Sequence, residues 1–185
     1  MADKLTRTTW IKAAFTALTA GGPQAIKAEA IARSLNVSKG SFYWHFKDVP
    51  ALKAAMVAHW QHGATGAIIT ALDHANMPPR DRLYRLMELA TSPADADYGG
   101  PQVEPAIRDW ARYDNRVRTA LSAIDNQRIG YVSGLLSEIG QTPKSAAQNA
   151  RILYAALIGL TQLSHLPDQT PQQDLLNLLD KILGP

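Results

Sequence analysis

Apolar residues recur every three or four positions along most of this chain, a spacing that places them on one face of an α-helix. The first run of this kind consists of Ile11, Ala14, Phe15 and Leu18. Either Thr8 or Thr9 is predicted to cap this helix, and the glycines before Pro23 are predicted to end it. Because the helical period continues through the rest of the chain, we predict an all-α fold with about nine helices.

Two shorter helical segments follow the first one, and only a tight turn separates them. The earlier segment runs from Ala28 to Leu35 and has apolar residues at helical spacing. The later segment begins at Lys39, and the hydroxyl of Ser38 is predicted to cap it by accepting a hydrogen bond from a free backbone N–H. Two helices joined this closely have the outline of a helix-turn-helix, whose second helix enters the major groove of DNA.

The helix that begins at Lys39 is predicted to have two different faces. Phe42 and Phe46 lie four residues apart and therefore share an inward face. Together with the two preceding helices they are predicted to form a small core, which consists of Phe15, Leu18, Ile31, Leu35, Val37, Phe42 and Phe46. The outward face carries polar, aromatic and basic side chains, namely Lys39, Ser41, Tyr43, Trp44 and His45.

The outward residues have side chains that suit contact with DNA. The ammonium group of Lys39 either donates to guanine O6 or N7 or neutralises a phosphate, and the sequence leaves both roles open. Gly40 has no side chain, so it lets the helix end approach base edges or sugars closely. The hydroxyls of Ser41 and Tyr43 can donate to phosphate, and the Tyr43 ring can also contact a thymine methyl group.

This part of the chain resembles the DNA-binding region of the tetracycline-repressor (TetR) family. The resemblance covers about the first 50 residues and rests on Gly22, Ile31–Ala32, the run from Leu35 to Lys47 with its Tyr-x-His-Phe sequence, and Leu52. It implies an all-helical homodimer with a three-helix DNA-binding head and a larger helical body that binds a small effector. In this family, binding usually represses transcription.

The resemblance also assigns roles to individual positions. Lys39, Gly40 and Tyr43 match base-reading positions, and Ser41, Trp44 and His45 match positions that contact the DNA backbone or have mixed roles. For Trp44 and His45 the residues themselves leave a second interpretation, in which they are partly buried spacers against the next helix.

Two positions depart from the family pattern. Lys27 stands where the second helix usually begins with Ser or Thr, so the helix start loses about 1 kcal/mol of capping, and Lys27 is free to reach a phosphate. Val49 replaces a lysine that meets the DNA backbone, and Lys47 or Lys53 is expected to compensate. The predicted DNA-binding residues are Lys27, Ser38, Lys39, Gly40, Ser41, Tyr43, Trp44, His45 and Lys47.

Charge is distributed unevenly along the chain. Residues 1–47 contain seven Lys or Arg and two acidic residues, whereas the remainder contains twelve basic and fourteen acidic residues. The amino-terminal region therefore carries a net +5 within a chain whose total is +3. Such a block is either a solvated basic surface or a phosphate-binding face, and its coincidence with the helix-turn-helix favours the second interpretation.

The remaining pattern predicts a helical body. A long helix from about Val49 to Asn76 is expected to link head and body, with Asp48 as its cap. Further predictions are a helix around Leu83–Ala90, a loop over Ser92–Val103, helices over Glu104–Tyr113, Asn115–Ile139 and Thr142 to about His165, and a last helix behind a Thr170–Gln173 capping box. We divide the chain into a DNA-binding domain, residues 1–47, and an effector-binding and dimerisation domain, residues 48–185.

The last two helices have more apolar surface than one narrow stripe requires. Small residues that allow close approach lie beside leucines, namely Ala146, Ala147, Ala150, Ala155, Ala156, Gly159, Leu153, Leu157 and Leu160. This surface suits a helix-bundle homodimer interface, and burial within one chain is the alternative. A two-fold dimer places its recognition helices roughly 34–36 Å apart, or a multiple of that, and predicts a palindromic operator.

An effector site is predicted from apolar and aromatic residues of the body, which suit a hydrophobic or planar compound. The candidates are Met56, Trp60, Tyr84, Met87, Trp110, Tyr131 and Leu135, and each has the alternative of being an ordinary core residue. His59 and His62 are three residues apart, but they lack a carboxylate at metal-ligand spacing, so we predict no metal site and no cofactor.

Other functional classes find little support in the residues. We find no Gly-x-Ser-x-Gly, His-Glu-x-x-His, Gly-x-x-x-x-Gly-Lys-Ser/Thr or Gly-x-Gly-x-x-Gly motif, and we predict no enzymatic activity. The chain has no cysteine, signal-peptide run or membrane-spanning run, which suits the cytoplasm. We predict a dimeric, effector-responsive repressor; the alternative is a helical-bundle carrier or enzyme whose head mediates protein contacts. Effector, operator, target genes and the sign of regulation are not readable from the residues.

Overall fold

The computed structural model of this chain describes residues 5–92, 100–163 and 170–184. Within these ranges the chain forms helices and connecting segments but no β-strand, so the predicted all-α fold is confirmed. We number the α-helices in chain order: α1 Arg7–Gly21, α2 Ala28–Ser34, α3 Lys39–Tyr43, α4 Val49–Gln61, α5 Ala67–His74, α6 Pro79–Thr91, α7 Val103–Trp110, α8 Asn115–Glu138, α9 Pro143–Leu163 and α10 Pro171–Leu183. A π-helical turn, His62–Gly66, joins α4 to α5 without a break. When α4 and α5 are counted as one continuous helix, the described residues form nine helices, as predicted.

Two compact units are built from discontinuous stretches of the chain. The first comprises Met1–His62 and Pro93–Leu121, and the second comprises Gly63–Ser92 and Ser122–Pro185. The division at residue 47 concerns function, and it stays a prediction. Among the described residues, none of the helices combines the length and the hydrophobicity that a transmembrane span requires.

The core of the first unit forms around α1, which contacts α2, α4 and α7. Five of the seven predicted core residues are at most 3% exposed, namely Phe15, Leu18, Ile31, Phe42 and Phe46. Leu35 and Val37 are only half-buried, because they lie at the end of α2 and in the turn, at the edge of this core. Trp10 and Ile26 are buried as well, although the apolar pattern did not include them.

Several helix starts differ from their predicted caps. Thr6, not Thr8 or Thr9, begins α1: its Oγ1 accepts from the backbone N–H of Thr9 (3.2 Å), and Oγ1 of Thr9 accepts from the backbone N–H of Thr6 (3.3 Å). This reciprocal pair satisfies two backbone donors at once, so the helix begins earlier than expected. Ser38 occupies the N-cap position of α3, but only its backbone carbonyl, not its hydroxyl, accepts an N–H there, from Ser41 (3.0 Å).

The other predicted caps gave mixed results. Asp48 caps α4 as predicted, since its Oδ1 accepts from the backbone N–H of Ala51 at 2.7 Å. Lys27 precedes α2 without a side-chain hydrogen bond, which agrees with the expected loss of capping. The capping box of Thr170 does not form: Thr170 makes no side-chain cap hydrogen bond, and the side chain of Gln173 donates to Asn177 (3.0 Å).

The predicted ends of several helices also need correction. The predicted helix over Glu104–Tyr113 is shorter at its carboxyl end and runs from Val103 to Trp110. It stops there because the guanidinium of Arg118 donates to the backbone carbonyls of Ala111 (3.2 Å) and Arg112 (3.0 Å), which are therefore satisfied outside a helix. Part of the predicted loop over Ser92–Val103 is a short 3₁₀ turn, Gly100–Gln102, and the predicted end at His165 lies outside the described residues.

The second unit is a helical bundle whose core joins α6, α8, α9 and α10. Ala146 and Ala150 of α9 are fully buried, and they lie in the same cluster as Leu175 and Leu179 of α10. Ala146 and Ala150 therefore serve packing within one chain, as in the alternative interpretation of these helices, whereas Ala155 is exposed. Ile152 and Leu163 remain 43% and 46% exposed, so part of the apolar surface of α9 is left uncovered.

Candidate nucleic-acid interface

A compact turn sets the angle between α2 and α3. Asn36 adopts a left-handed conformation with φ of 56°, which asparagine tolerates better than most residues. The backbone N–H of Val37 then donates to the carbonyl of Ala32 at 2.9 Å, which closes the end of α2. The chain can therefore restart as α3 after four residues, as the helix-turn-helix pattern predicted.

Aromatic contacts fix the inward face of α3. Phe42 is 0% exposed and meets the Trp10 ring edge to face, with 5.5 Å between the ring centroids. Phe46 stacks on Phe42 with its centroid 5.8 Å away, and the guanidinium of Arg7 covers Phe46 at 4.6 Å. The predicted burial of Phe42 and Phe46 is confirmed, and these contacts leave α3 little freedom to rotate.

The opposite face of α3 points to solvent. Tyr43 is 56% exposed and Trp44 is 88% exposed, which is unusual for such large aromatic side chains. The other predicted DNA-binding residues divide into exposed ones, Lys27, Ser38, Lys39, Gly40 and Lys47, and half-buried ones, Ser41 and His45. The structure therefore brings these nine residues to the surface of one helix-turn-helix or its immediate ends.

Trp44 and His45 differ in their surroundings. The exposure of Trp44 contradicts its interpretation as a partly buried spacer. The His45 ring instead lies 6.1 Å from the Trp10 ring, centroid to centroid, and is half-buried, as a spacer would be. Of the two lysines expected to compensate for Val49, Lys53 lies over the Trp110 ring at 5.5 Å, whereas Lys47 is exposed.

Glu29 of α2 was not among the predicted site residues, yet it contacts the centre of this face. Its Oε1 accepts a hydrogen bond from the Lys39 ammonium at 2.5 Å. This hydrogen bond raises the pKa of Lys39 and lowers the pKa of Glu29. A pair ten residues apart on two different helices leaves no periodic signal in the sequence, so only the turn geometry reveals it.

The seven predicted effector residues divide between the two units. Met56, Trp60 and Trp110 are buried in the first unit, whereas Met87 and Leu135 belong to the core of the second. Tyr84 and Tyr131 are half-buried in the second unit. Their hydroxyls donate to the carboxylates of Asp180 (2.5 Å) and Asp73 (2.8 Å), respectively. An effector-binding role for these residues stays a prediction.

A polar network in the second unit was missed from the sequence. Arg128 donates to Oγ1 of the buried Thr65 (2.9 Å), to the carbonyl of Ala64 (3.2 Å) and to the hydroxyl of Tyr154 (3.2 Å). Tyr154 in turn donates to Asp125 at 2.6 Å. Arg128 of α8 thus anchors the π-helical turn between α4 and α5, although the two lie more than sixty residues apart in the chain.

Two histidines, His59 and His62, lie near the end of α4 and at the start of the π-helical turn. Burial is the main cause that lowers the pKa of His59, with smaller contributions from the charges of His62 and Lys12. In the three described stretches of chain, no group of three or more histidine, cysteine, aspartate or glutamate side chains is placed to hold a metal ion.

Tyr131 gives a testable pH dependence for the second unit. Burial and the hydrogen bond to Asp73 raise the pKa of Tyr131 to about 12, above its ordinary value of 10.0. The contribution of the Tyr131 hydroxyl to folding stability is fully present below pH 10, where the hydroxyl is protonated in both the folded and the unfolded protein. This contribution is lost from pH 10 to 12, because the hydroxyl ionises first in the unfolded protein. We therefore expect urea unfolding to show a steeper loss of stability over this range for the wild type than for Tyr131→Phe. Equal slopes would contradict the expectation.

Two helices joined by a tight turn, the second with a buried aromatic back and an exposed lysine–tyrosine–tryptophan front, have the geometry of a helix-turn-helix. Residues 11–56 match the family described as bacterial regulatory proteins, tetR family. No curated protein matches the sequence. Residues 11–56 are thus similar to the helix-turn-helix region of the TetR family, as the resemblance indicated.

Solved structures share the fold over nearly the whole chain. A TetR transcriptional regulator from Legionella pneumophila is 16% identical with a TM-score of 0.77, and 98% of each chain is covered. A TetR-like transcriptional regulator from Rhodococcus sp. RHA1 is 15% identical with a TM-score of 0.74, and 100% of each chain is covered. A protein described as a transcriptional regulator from Saccharomonospora viridis, in complex with choline, is 18% identical with a TM-score of 0.77, and the match covers 95% of this chain and 94% of that one.

Proposed function

We propose that this protein is a homodimeric transcriptional repressor that binds a palindromic operator through residues 39–45 and releases it when a small effector binds. One observation carries the proposal. Within the region that matches the TetR family, Phe42 is fully buried while Tyr43 and Trp44, the next two residues, are largely exposed. Two large aromatic side chains exposed side by side indicate a surface that binds a partner. DNA is the partner that a helix-turn-helix accommodates.

The individual DNA contacts that we propose follow from the side chains on the surface of the helix-turn-helix. Lys39, Gly40 and Tyr43 are proposed to read base edges, because they lie at the front of the helix that enters the groove. A second set is proposed to contact the phosphate backbone: Lys27, Ser38, Ser41, Trp44, His45 and Lys47. The Ser38 hydroxyl suits this role because it does not cap its own helix.

Gly40 offers a prediction that separates folding from DNA binding. A Cβ atom at this position would meet only Oγ of Ser38, at an ordinary 3.7 Å, so the fold itself does not require glycine. We expect Gly40→Ala to raise stability by up to about 1 kcal/mol, since alanine favours helix. The same variant is expected to bind its operator more weakly, because the added methyl group meets the DNA. Thermal unfolding and a duplex titration measure the two effects, and unchanged DNA affinity would argue against close approach at Gly40.

Dimerisation is proposed to use the last two helices of each chain. Some of their small residues, Ala146 and Ala150, pack between α9 and α10, but Ile152 and Leu163 stay exposed on α9. A two-fold contact through this face pairs two heads with the two halves of a palindrome, at a spacing of roughly 34–36 Å or its multiples. Sedimentation of the purified protein at micromolar concentration tests this part of the proposal.

The effector is proposed to be a small apolar or aromatic compound that contacts some of Met56, Trp60, Tyr84, Met87, Trp110, Tyr131 and Leu135. One protein of similar fold holds choline, and aromatic faces bind such quaternary ammonium ions as well as planar compounds. Release follows from differential affinity: the effector binds better to a body conformation that holds the two heads at the wrong separation. DNA affinity then falls by the same coupling factor.

The test is selection of bound duplexes from a random pool, followed by a screen for compounds that release them. The proposal expects a single palindromic sequence, bound tightly and with an affinity that falls steeply as salt rises. The alternative is a helical-bundle carrier or enzyme whose head contacts proteins. That alternative expects weak binding to all duplexes without preference, an outcome that would overturn the regulator proposal.

A further inference from the structure

A charge pair bridges the two helices of the helix-turn-helix on its solvent side. The Lys39 ammonium lies 2.5 Å from Oε1 of Glu29, and the two side chains are 50% and 66% exposed. They border a groove between α2 and α3 that is also lined by Arg33, Asn36 and Ser38. The carboxylate of Glu29 is therefore part of the surface that the proposed operator would meet.

An acidic residue at this place is costly for a protein that binds a polyanion. Residues 1–47 contain only one other acidic residue, Asp3, against seven basic ones. An exposed ion pair contributes little to folding stability. A carboxylate in the first turn of α2 adds only about 0.3–1 kcal/mol through the helix dipole. Repulsion between its carboxylate and nearby phosphates weakens sequence-independent binding, because that binding depends on charge neutralisation.

The chemistry of the pair points to base edges instead. An ionised carboxylate can only accept hydrogen bonds, and the phosphates of the DNA backbone have no donor group. In the major groove, cytosine N4 is the donor that carboxylates characteristically meet. The Lys39 ammonium has three N–H groups, and after one is donated to Glu29, two remain for the O6 and N7 acceptors of guanine.

We propose that Glu29 is a specificity-determining residue, which directs Lys39 to guanine rather than phosphate and itself accepts from cytosine N4. This inference rests on the proposed function and assigns to Lys39 one of the two roles that the sequence left open. The pair requires a G·C base pair in each half-site where it enters the groove. It also suppresses binding to unrelated DNA, because Lys39 is already neutralised before it meets a phosphate.

The experiment compares three forms of the full-length protein in duplex selection from a random pool. Glu29→Gln removes the charge but keeps the shape. Glu88→Gln is the matched control, because Glu88 forms an exposed ion pair with Arg85 on α6 and its replacement changes the net charge equally. We expect the wild type and Glu88→Gln to select the same G·C pair. For Glu29→Gln we expect discrimination at that one position to fall about tenfold.

Salt titrations with an unrelated duplex supply a second readout. For Glu29→Gln we expect non-specific affinity at low salt to rise severalfold and the slope of log K against log salt to steepen by about one unit, since Lys39 becomes free to neutralise a phosphate. Duplex selection with two further variants, Lys39→Met and Lys39→Met/Glu29→Gln, tests whether the two residues act as one unit. If they do, the double variant should discriminate at that position no worse than Lys39→Met or Glu29→Gln alone.

The outcomes separate this inference from the function on which it rests. A wild type that prefers no duplex overturns both. A wild type that prefers one palindrome while Glu29→Gln keeps the same preference overturns only the role of Glu29. An equal gain in affinity for specific and unrelated duplexes also overturns it, because Glu29 would then be a simple electrostatic competitor. Selection of A·T at the affected position overturns the assignment to guanine and cytosine.

Discussion

Replacement of Phe42 by alanine is expected to destabilise the first unit by about 3–5 kcal/mol, the usual range for a fully buried phenylalanine. The ring is 0% exposed and contacts both Trp10 and Phe46, so its loss leaves a cavity beneath α3. Because the same contacts orient α3, the Phe42→Ala variant should lose DNA binding. Its first unit should also lose the cooperative unfolding transition of the wild type. Urea unfolding followed by tryptophan fluorescence measures the effect.

Trp44→Ala is the matched control for this prediction. Trp44 is an aromatic residue two positions away, but it is 88% exposed, so its replacement should change stability by less than about 0.5 kcal/mol. A loss of stability from Trp44→Ala that equals the loss from Phe42→Ala would show that the two faces of α3 have been assigned the wrong way round.

Tyr43→Ala is expected to weaken binding to the selected operator by about tenfold to a hundredfold while leaving stability nearly unchanged. Tyr43 is 56% exposed on the front of α3, and its proposed contacts are with DNA. Fluorescence anisotropy with a labelled operator measures the affinity, and a thermal melt confirms that the variant folds.

Tyr113→Ala provides the comparison for Tyr43→Ala. Tyr113 is 80% exposed in the first unit, but it follows α7 and lies outside the helix-turn-helix. Its replacement should leave operator affinity unchanged. If both tyrosine variants bound as tightly as the wild type, the front of α3 would not be the surface that reads the operator.

The two faces of α3 could be predicted from the sequence because they depend on local geometry. Residues four apart on a helix share a face, so the positions of Phe42 and Phe46 implied one buried side and left Lys39 and Tyr43 on the other. Burial of Trp10 escaped prediction for an equally local reason. With Thr8 or Thr9 as the cap, Trp10 was the second or first residue of the predicted helix, whereas the actual cap at Thr6 makes it the fourth residue of α1, where it is buried.

Caps were less predictable than helices. Any Ser, Thr or Asp before an apolar run is a candidate, and the choice depends on which hydroxyl reaches a backbone N–H at hydrogen-bond distance. Asp48 makes that bond, but Ser38 and Thr170 do not, although all three residue types suit the role. Differences of this size arise from backbone angles that composition and spacing leave unspecified.

By itself, the sequence determined the helical class, the position of the turn, the aromatic anchor of α3 and the basic amino-terminal region, because each depends on neighbours within about four residues. Only the tertiary structure decided which distant groups meet. The pairing of Glu29 with Lys39 needs two helices set at one angle by Asn36, and the contact of Arg128 with Thr65 joins residues 63 positions apart. Such contacts carry no periodic trace along the chain, since they follow from how whole helices pack.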